Sequence, residues 1–302
     1  MSLLKGIKRT DGFIEIDDKV RFKKNVEFHQ GPGINFDRQN TYYVDGRDGS
    51  DNYTGLDPTN AKATIAAAIT VMNARIGWSN SPWAQRDVLY IAPGSYAEEL
   101  TALPYGCVVV GVGHDIHSGK NGVIIKPASG YPVEVTSTIN TAFYNLSFVS
   151  PDTSAAFKTV NLNNSYFYNC KFSGLPSATT AVYGVYCSDL SGTWFDHCWF
   201  MNADNGLYIN YVDGGDKCAK LLVENCMFTG LAATGIYVST QLVGEHSIVR
   251  HNTIIGGGQT LTLGIDDNIA CIDESFNSIE ATTAVDGVRS SNGTYGNGTL
   301  LT

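Results

Sequence analysis

The sequence predicts an all-β fold in which the chain winds as a single-stranded parallel β-helix, and three observations lead to this prediction. Only 16% of the 302 residues are charged and 32 are glycine, a composition typical of short strands joined by tight turns. A six-residue motif recurs in the second half of the chain at intervals of 24 to 28 residues. A second motif recurs out of phase with the first, which requires at least two strands in each repeat.

The first motif occupies residues 143–148, 167–172, 195–200, 223–228 and 249–254. Its first and sixth positions are apolar in every copy, as two inward-facing columns require. A bend at the third position allows both ends to face inward, and Asn tolerates the left-handed conformation that such a bend needs. We therefore predict a ladder of stacked turn residues that hydrogen-bond along the helix axis. Its members are Asn145, Asn169, His197, Asn225 and His251.

This placement predicts that the two histidines are turn residues and not catalytic groups. Asp196 occupies the second position of the motif, where the five copies carry aromatic, acidic and basic residues. Because no residue type is required there, Asp196 is predicted to be exposed. Glu224 and Arg250 occupy the same position in the next two coils and are predicted to form an exposed ion pair. Seven cysteines without a Cys-x-x-Cys pair favour free thiols over disulfides or a zinc site, and the column Cys170, Cys198, Cys226 is predicted to be semi-buried.

The second motif is a small residue, an apolar residue and an outward-facing residue. It is assigned to the segments that begin at Ala156, Ala181, Gly206, Gly235, Gly264 and Ala284. Its outward column contains Tyr183, Tyr208 and Tyr237. These tyrosines are interpreted as scattered surface aromatics, as stacking platforms for sugar rings, or as an interface in a trimer, and the trimer interface is favoured.

The segment 42–113 contains three groups of residues that carry a resemblance to a known family. They are Thr64, Ile65, Ala68 and Ile69, then Pro93, Gly94, Tyr96 and Glu98, then Gly106, Val108, Gly111 and Gly113. With these motifs, residues 42–290 resemble the pectin-lyase-like right-handed parallel β-helix superfamily. The resemblance implies the fold and its right-handedness, and it assigns the first group to a short capping helix, the second to a first coil and the third to the next coil. It leaves activity open, because the superfamily contains lyases, hydrolases, epimerases and non-catalytic virion spikes.

The first forty residues carry short apolar-x-apolar strands separated by charged turns. The pairs are Ile14/Ile16, Val20/Phe22, Val26/Phe28 and Ile34/Phe36. One chain cannot bury such narrow faces, whereas three copies around an axis can. The pattern resembles the intertwined shafts of trimeric bacteriophage fibres and spikes, and a flexible or capping arm is the alternative. We predict an arm at 1–40 for trimerisation or virion attachment and a β-helix at 41–302. The β-helix divides into an entry and cap (41–87), coils (88–290) and a C-terminal end (291–302).

Metal and catalytic sites are not favoured. Asp45, Asp48 and Asp51 could bind calcium, but Asx turns in a Gly-rich loop are the preferred interpretation, and no cofactor is expected. The catalytic alternatives are Asp266, Asp267, Glu224 and Arg250. The Gly-Ile-Asp-Asp segment at 264–267 loosely resembles the Gly-Asp-Asp element of pectin-degrading hydrolases. Their later Gly-His-Gly and Arg-Ile-Lys elements are missing.

The charge and hydropathy of the chain argue against nucleic-acid binding and membrane insertion. A net charge of −9 without a basic block argues against nucleic-acid binding. No apolar run of membrane-spanning length or signal-peptide type is present, so we expect synthesis in a host cytoplasm without membrane insertion. The expected protein is a homotrimeric bacteriophage spike, fibre or capsid-decorating protein in the virion. Its expected partners are itself, other capsid or tail proteins and, as a further option, a host-surface glycan. The alternative is a polysaccharide-degrading tailspike-type enzyme.

Overall fold

The structure is a computed structural model, and it divides into two units, residues 1–38 and 39–302. It describes residues 7–10, 13–16, 40–76, 87–113, 115–116, 121–151, 155–174, 183–210, 218–239, 247–268, 272–287, 290–292, 295–296 and 299–300. None of the described helices is long and apolar enough to cross a membrane.

The first unit contains an antiparallel pair of strands, β1 (Ile7–Thr10) and β2 (Phe13–Ile16), in which Ile7 lies opposite Ile16. Ile14 and Ile16 therefore lie on a strand, as the alternation predicts. Four other residues assigned to the arm lie outside the described residues: Val20, Phe22, Val26 and Phe28. Assembly of this unit from three copies stays a prediction.

The second unit contains a 3-10 helix (Pro58–Asn60), one α-helix, α1 (Ile65–Ile76), and a long series of short strands among its described residues. In chain order the strands are β3 (Thr41–Val44), β4 (Val88–Ile91), β5 (Gly94–Tyr96), β6 (Val108–Gly111), β7 (Val123–Ile125), β8 (Glu134–Ile139), β9 (Ala142–Tyr144), β10 (Leu146–Val149), β11 (Phe157–Asn163), β12 (Tyr166–Tyr168), β13 (Lys171–Ser173), β14 (Tyr183–Ser191), β15 (Trp194–Asp196), β16 (Trp199–Ile209), β17 (Cys218–Ala219), β18 (Leu222–Glu224), β19 (Met227–Val238), β20 (Ser247–Arg250), β21 (Thr253–Ile255), β22 (Leu263–Asp267), β23 (Ile272–Ser275), β24 (Ser278–Glu280), β25 (Thr283–Asp286), β26 (Ser290–Asn292), β27 (Tyr295–Gly296) and β28 (Thr299–Leu300).

These strands stack into three sheet faces that run along one axis. Sheet 1 has the order β3-β4-β6-β9-β12-β15-β18-β20-β23-β26, and sheet 2 has the order β5-β7-β10-β13-β16-β19-β21-β24-β27-β28. Sheet 3 follows β8-β11-β14 and then the second halves of β16 and β19, before β22 and β25. Apart from the antiparallel β27–β28 pair, the described pairings in this unit are parallel. The predicted parallel β-helix is confirmed.

The core consists of side chains that stack on their equivalents in the next coil. Phe143, Phe167 and Phe195 form one column on sheet 1, with ring centroids 4.8 and 4.9 Å apart and nearly parallel planes. On sheet 2, Phe200 and Phe228 stack at 4.4 Å. All are buried, and each buried phenylalanine stabilises the fold by about 1.5–3 kcal/mol.

The corner between sheets 1 and 2 contains the predicted turn residues. Asn145, Asn169, His197, Asn225 and His251 have φ of 56°, 50°, 53°, 55° and 56°. The Asn169 Nδ2 donates to the Asn145 Oδ1 at 2.9 Å, so this pair bonds along the axis. The side-chain hydrogen bonds between turn residues are interrupted at His197, because the Asn225 Nδ2 donates to the Asp196 carboxylate, at 3.0 Å, and not to His197. A sixth member is Phe276, with φ of 55° and 56% exposure.

A second buried column lies one residue beyond this corner. The Cys198 and Cys226 thiols lie 3.3 and 3.5 Å from the carbonyl oxygen of the first motif residue one coil earlier. Cys170, Cys198 and Cys226 are free and buried rather than semi-buried. Burial raises the pKa of the Cys170 and Cys198 thiols, which disfavours their reactive thiolate form.

In the next two coils this column contains Asn252 and Asn277. The Asn252 Nδ2 donates to the Val223 carbonyl (3.0 Å), and its Oδ1 accepts from the Cys226 N–H (2.8 Å). Asn277 repeats both bonds one coil later, to the Val249 carbonyl (2.9 Å) and from the Asn252 N–H (3.0 Å). Each buried amide therefore joins two coils through a donor and an acceptor.

The N-terminal end of the β-helix is closed by α1, in agreement with the resemblance. The Glu98 carboxylate on the first coil accepts hydrogen bonds from the Ile65 and Ala66 N–H groups at 2.9 and 2.8 Å. Asp51 accepts from the Ala63 and Thr64 N–H groups at 3.0 and 2.9 Å. The two carboxylates satisfy N–H groups at the helix start that have no partner within the helix.

A column of small residues lines sheet 3, and here one sequence alignment is wrong. The residue paired with Tyr208 is Tyr186, whereas Tyr183 pairs with Asn205. The segment Ala-Val-Tyr-Gly-Val-Tyr at 181–186 fits the small-apolar-aromatic motif twice, and the register selects the second copy, which begins at Gly184. The glycines of this column are Gly184, Gly206, Gly235 and Gly264, and all four are buried.

Gly206→Ala is expected to destabilise the β-helix. A Cβ at this position would lie 2.6 Å from the Gly235 carbonyl oxygen and 2.6 Å from the Phe228 ring, and neither can move without disturbing the next coil. We expect a loss of about 1–3 kcal/mol in the free energy of unfolding, measured by chemical denaturation. Gly94→Ala is the matched control, because its Cβ would make only ordinary contacts of 3.5 Å or more. Equal stability of the two variants would contradict this packing.

Candidate functional site

Within the part of the chain that the structure describes, two outward-facing surfaces carry clusters of four or more aromatic side chains. The first, which we name the tyrosine column, consists of Tyr183, Tyr186, Tyr208 and Tyr237 on sheet 3. The Tyr208 and Tyr237 rings stack with centroids 4.3 Å apart and planes within 10°, and Tyr186 is nearly parallel to Tyr208 at 6.0 Å. Burial, followed by the neighbouring tyrosines, raises the pKa of Tyr208 to about 12. The column is therefore a tightly packed, half-buried group of phenol rings.

Charged residues continue this column at both ends. On one side, Lys158 precedes Tyr186 in the register and pairs with Glu134 at 2.7 Å. On the other side, Tyr237 is followed by Asp266 and then Asp286. Burial raises the pKa of Asp266, and the charges of Asp286 and Asp267 raise it further. An aromatic centre thus lies between a cation–anion pair and two carboxylates.

The second surface, which we name the aromatic patch, consists of Tyr144, Tyr166, Tyr168, Trp194 and His197. All but His197 project from the outer face of sheet 1, and His197 lies at its corner. Their rings are tilted rather than flush: Tyr166 and Trp194 lie 4.9 Å apart at 53°, and Tyr168 and His197 lie 5.4 Å apart at 49°. Trp194 is 38% exposed and Tyr168 is 36% exposed. The patch is not among the sequence predictions, because residues of different chemical type occupy these motif positions from coil to coil. Aromatic residues at alternate positions of adjacent coils, such as Tyr166, Tyr168 and Trp194, are the feature of the sequence that indicates it.

Asp196 borders the aromatic patch, and the prediction that it is exposed is wrong. Its side chain is 12% exposed, and it accepts hydrogen bonds from three groups. The donors are the His197 Nδ1 at 2.5 Å, the Asn225 Nδ2 at 3.0 Å and the Tyr166 hydroxyl at 3.4 Å. Burial, and then the Asp196 charge, raise the pKa of Tyr166. The His197 side chain is 54% exposed, so its second ring nitrogen, Nε2, is available for a hydrogen bond with an outside partner.

One coil further, Glu224 and Arg250 form the predicted ion pair, but it is not fully exposed. The Glu224 Oε2 accepts from the Arg250 Nη2 at 2.7 Å and from Nε at 2.8 Å. The Glu224 side chain is 11% exposed, whereas the Arg250 side chain is 42% exposed. Two charge-assisted hydrogen bonds compensate part of the cost of burying the carboxylate.

The four candidate catalytic residues do not converge. Glu224 and Arg250 lie on sheet 1, whereas Asp266 faces outward from sheet 3. Asp267 follows Asp266 on the strand and therefore points to the opposite face. It is buried and accepts from the Ile272 N–H at 2.6 Å.

The candidate calcium ligands also have other roles. The Asp45 Oδ1 accepts from the Arg47 and Asp48 N–H groups, an Asx-turn arrangement. Asp48 pairs with Arg47 at 2.6 Å, and Asp51 binds the start of α1. Within the described residues, no group of three or more His, Cys, Asp or Glu side chains is arranged to hold a metal ion.

Comparison with known proteins agrees with this architecture. The model of the family "Right handed beta helix region" matches residues 106–282, and the predicted right-handed parallel β-helix is confirmed. No curated protein matches the chain. YbhC of Escherichia coli is similar in structure with a TM-score of 0.52 and 11% identity, over 97% of this chain and 91% of that one. At that identity the similarity concerns the fold alone.

Two further solved structures are more distant. The pectin methylesterase of Aspergillus niger has a TM-score of 0.42 and 17% identity, over 91% of this chain and 89% of that one. The Dettilon tailspike protein has a TM-score of 0.39 and 17% identity, over 80% of this chain and 50% of that one. At these TM-scores neither structure carries an argument about function.

The raised pKa of Asp266 predicts a pH-dependent stability. Just above the unfolded pKa, near 3.9, the folded chain still holds a proton that the unfolded chain has released. The contribution of Asp266 to the free energy of unfolding therefore falls as the pH rises through this range. Asp266→Asn is expected to raise the melting temperature at pH 7, and to change it little near pH 3, where both chains carry a neutral side chain.

Thermal unfolding at the two pH values measures this effect. Asp48→Asn is the control, because Asp48 is exposed and pairs with Arg47, so its replacement should give no stabilisation at neutral pH. If Asp266→Asn changes the melting temperature equally at both pH values, the raised pKa of Asp266 in the folded chain is contradicted.

Proposed function

The chain belongs to the right-handed β-helix family, and from this premise we propose that it is a structural protein of a bacteriophage virion. In this proposal it is a homotrimeric spike, fibre or capsid-decorating protein whose β-helix contacts the host surface. The observation that carries the proposal is the tyrosine column, an aromatic strip on the outside of a folded unit. Apolar patches of this kind mark interaction sites.

The geometry of the tyrosine column suits a contact between subunits. Because Tyr208 and Tyr237 stack face to face, their ring faces are largely covered, and ring edges and hydroxyls remain for a partner. Tyrosine is enriched in the cores of protein interfaces, which are surrounded by polar rims. The Glu134–Lys158 pair and the carboxylates of Asp266 and Asp286 supply such a rim at the two ends.

The N-terminal unit supports the same assembly. The β1–β2 pair is a two-stranded ribbon, and an isolated two-stranded ribbon is at best marginally stable in water. Its apolar-x-apolar pattern would form a core if three copies wrapped around one axis. The arm would then join the trimer and attach it to other capsid or tail proteins.

A polysaccharide-degrading enzyme is the alternative, and the side-chain arrangement supports it less well. Inverting glycoside hydrolysis needs two carboxylates about 6.5–9.5 Å apart with room for water between them. The candidates Glu224 and Asp266 lie on different sheets. Glu224 is bound by Arg250, and Asp196 on the coil before it is bound by His197. Release of reducing sugar from a host capsule would favour the enzyme.

Light scattering on the full chain and on residues 41–302 tests the assembly. We expect the full chain to have three times the 32.6 kDa chain mass and the truncated chain to be monomeric or in a concentration-dependent equilibrium. Tyr208→Asp in the full chain is expected to shift the mass toward monomer, because it places a charge in the interface core.

Tyr53→Asp is the matched control, since Tyr53 is 43% exposed in the entry loop, away from the tyrosine column. A monomeric full chain would overturn the proposed trimer. A stable trimer in the Tyr208→Asp variant would show that the tyrosine column is not its interface.

A further inference from the structure

We propose that the aromatic patch on sheet 1 is a binding site for a neutral pyranoside glycan. The inference rests on the proposed contact of the β-helix with a host surface, and it names the class of ligand and the residues that recognise it. It assigns recognition to a different sheet from the tyrosine column, for which glycan stacking was one interpretation of the sequence.

The first argument is the orientation of the rings. A sugar ring packs its C–H face on the face of an aromatic ring, so a binding site needs aromatic faces that solvent can reach. In the tyrosine column, the flush Tyr208–Tyr237 stack covers these faces, although Tyr183 is tilted by 46° from Tyr208. In the aromatic patch, Tyr144 and Tyr166 meet edge to face at 75°, and Trp194 is tilted by 53° from Tyr166. Rings that meet at these angles do not stack flush, so part of their faces stays open, in agreement with the exposure of Trp194 (38%) and Tyr168 (36%).

The second argument is the ordered polar border beside these rings. Asp196 is fixed by three donors, and one of them, His197, presents its Nε2 to solvent. The Arg250 guanidinium is held by Glu224 yet 42% exposed. The exposed Arg250 guanidinium offers several N–H donors to sugar hydroxyls, and the His197 Nε2 offers a further hydrogen-bonding atom. Because their positions are already fixed, little conformational entropy is lost when a ligand binds.

The third argument concerns charge and selects the class of glycan. The border contains two carboxylates, Asp196 and Glu224, and one guanidinium, Arg250, while the whole chain has a net charge of −9. An acidic glycan that carries uronate, sialate or phosphate groups would meet net repulsion there. A neutral pyranoside avoids this cost and still uses the aromatic faces.

The test is binding of the full chain to an array of neutral and uronate-containing oligosaccharides, followed by titration calorimetry with the best ligand. We expect retention on neutral pyranosides. Trp194→Ala is expected to weaken binding by about tenfold or more, as truncation of a central aromatic contact does. Trp194→Phe, which keeps an aromatic face, should retain most of the affinity. Tyr53→Ala removes an exposed tyrosine outside the patch and should bind like the wild type.

Thermal unfolding and light scattering of the same samples separate the outcomes. No binding to any neutral glycan, binding to acidic glycans alone, or unchanged affinity of a folded Trp194→Ala variant would overturn the inference. Loss of the trimer in Trp194→Ala would identify the patch as a subunit interface and overturn it as well. A monomeric wild type that binds a neutral glycan through Trp194 would overturn the trimer and leave the glycan site standing.

Discussion

The structure depends on one constraint, which is that each coil must hydrogen-bond to the next in register. Backbone hydrogen bonds fix neighbouring strands about 4.8 Å apart, so every side chain lies on its equivalent in the adjacent coil. The stacked phenylalanines of the core, the positive-φ corner and the glycine column are consequences of this repetition. So are the surfaces, because an outward aromatic residue that recurs in the next coil becomes part of a continuous strip.

The same constraint explains what could be predicted from the sequence. The inward columns and the corner at Asn145 and Asn169 follow from a repeat in which apolar residues and turn residues recur at fixed positions. The corner also contains Phe276, which was not predicted. In its copy of the motif the first position is the polar residue Glu274, whereas that position is apolar in the five copies that define the motif. The alignment of Tyr183 failed because two overlapping copies of the second motif fit equally well, and only strand pairing selects Tyr186.

The candidate site was less predictable, for a different physical reason. A repeat pattern tells which residues face outward, but not how far neighbouring side chains cover one another. Asp196 and Glu224 face outward, yet hydrogen bonds to His197 and Arg250 hold both carboxylates close to the surface with little exposure. The tilt between neighbouring aromatic rings is unpredictable for the same reason. Tyr208 and Tyr237 stack flush on sheet 3, whereas Trp194 and Tyr166 on sheet 1 are tilted.

The buried amides of Asn252 and Asn277 bear on how the solenoid opens. In a repeat protein each coil is stabilised mainly by its two neighbours, so terminal coils fray first. The N-terminal end is closed by α1, which Glu98 and Asp51 hold in place. Toward the other end, each asparagine side chain bonds an N–H and a carbonyl of the preceding coil, as an added peptide group would. Local opening from the C-terminal end must break these side-chain hydrogen bonds together with those of the backbone. The two asparagines therefore limit how far fraying can spread along the β-helix.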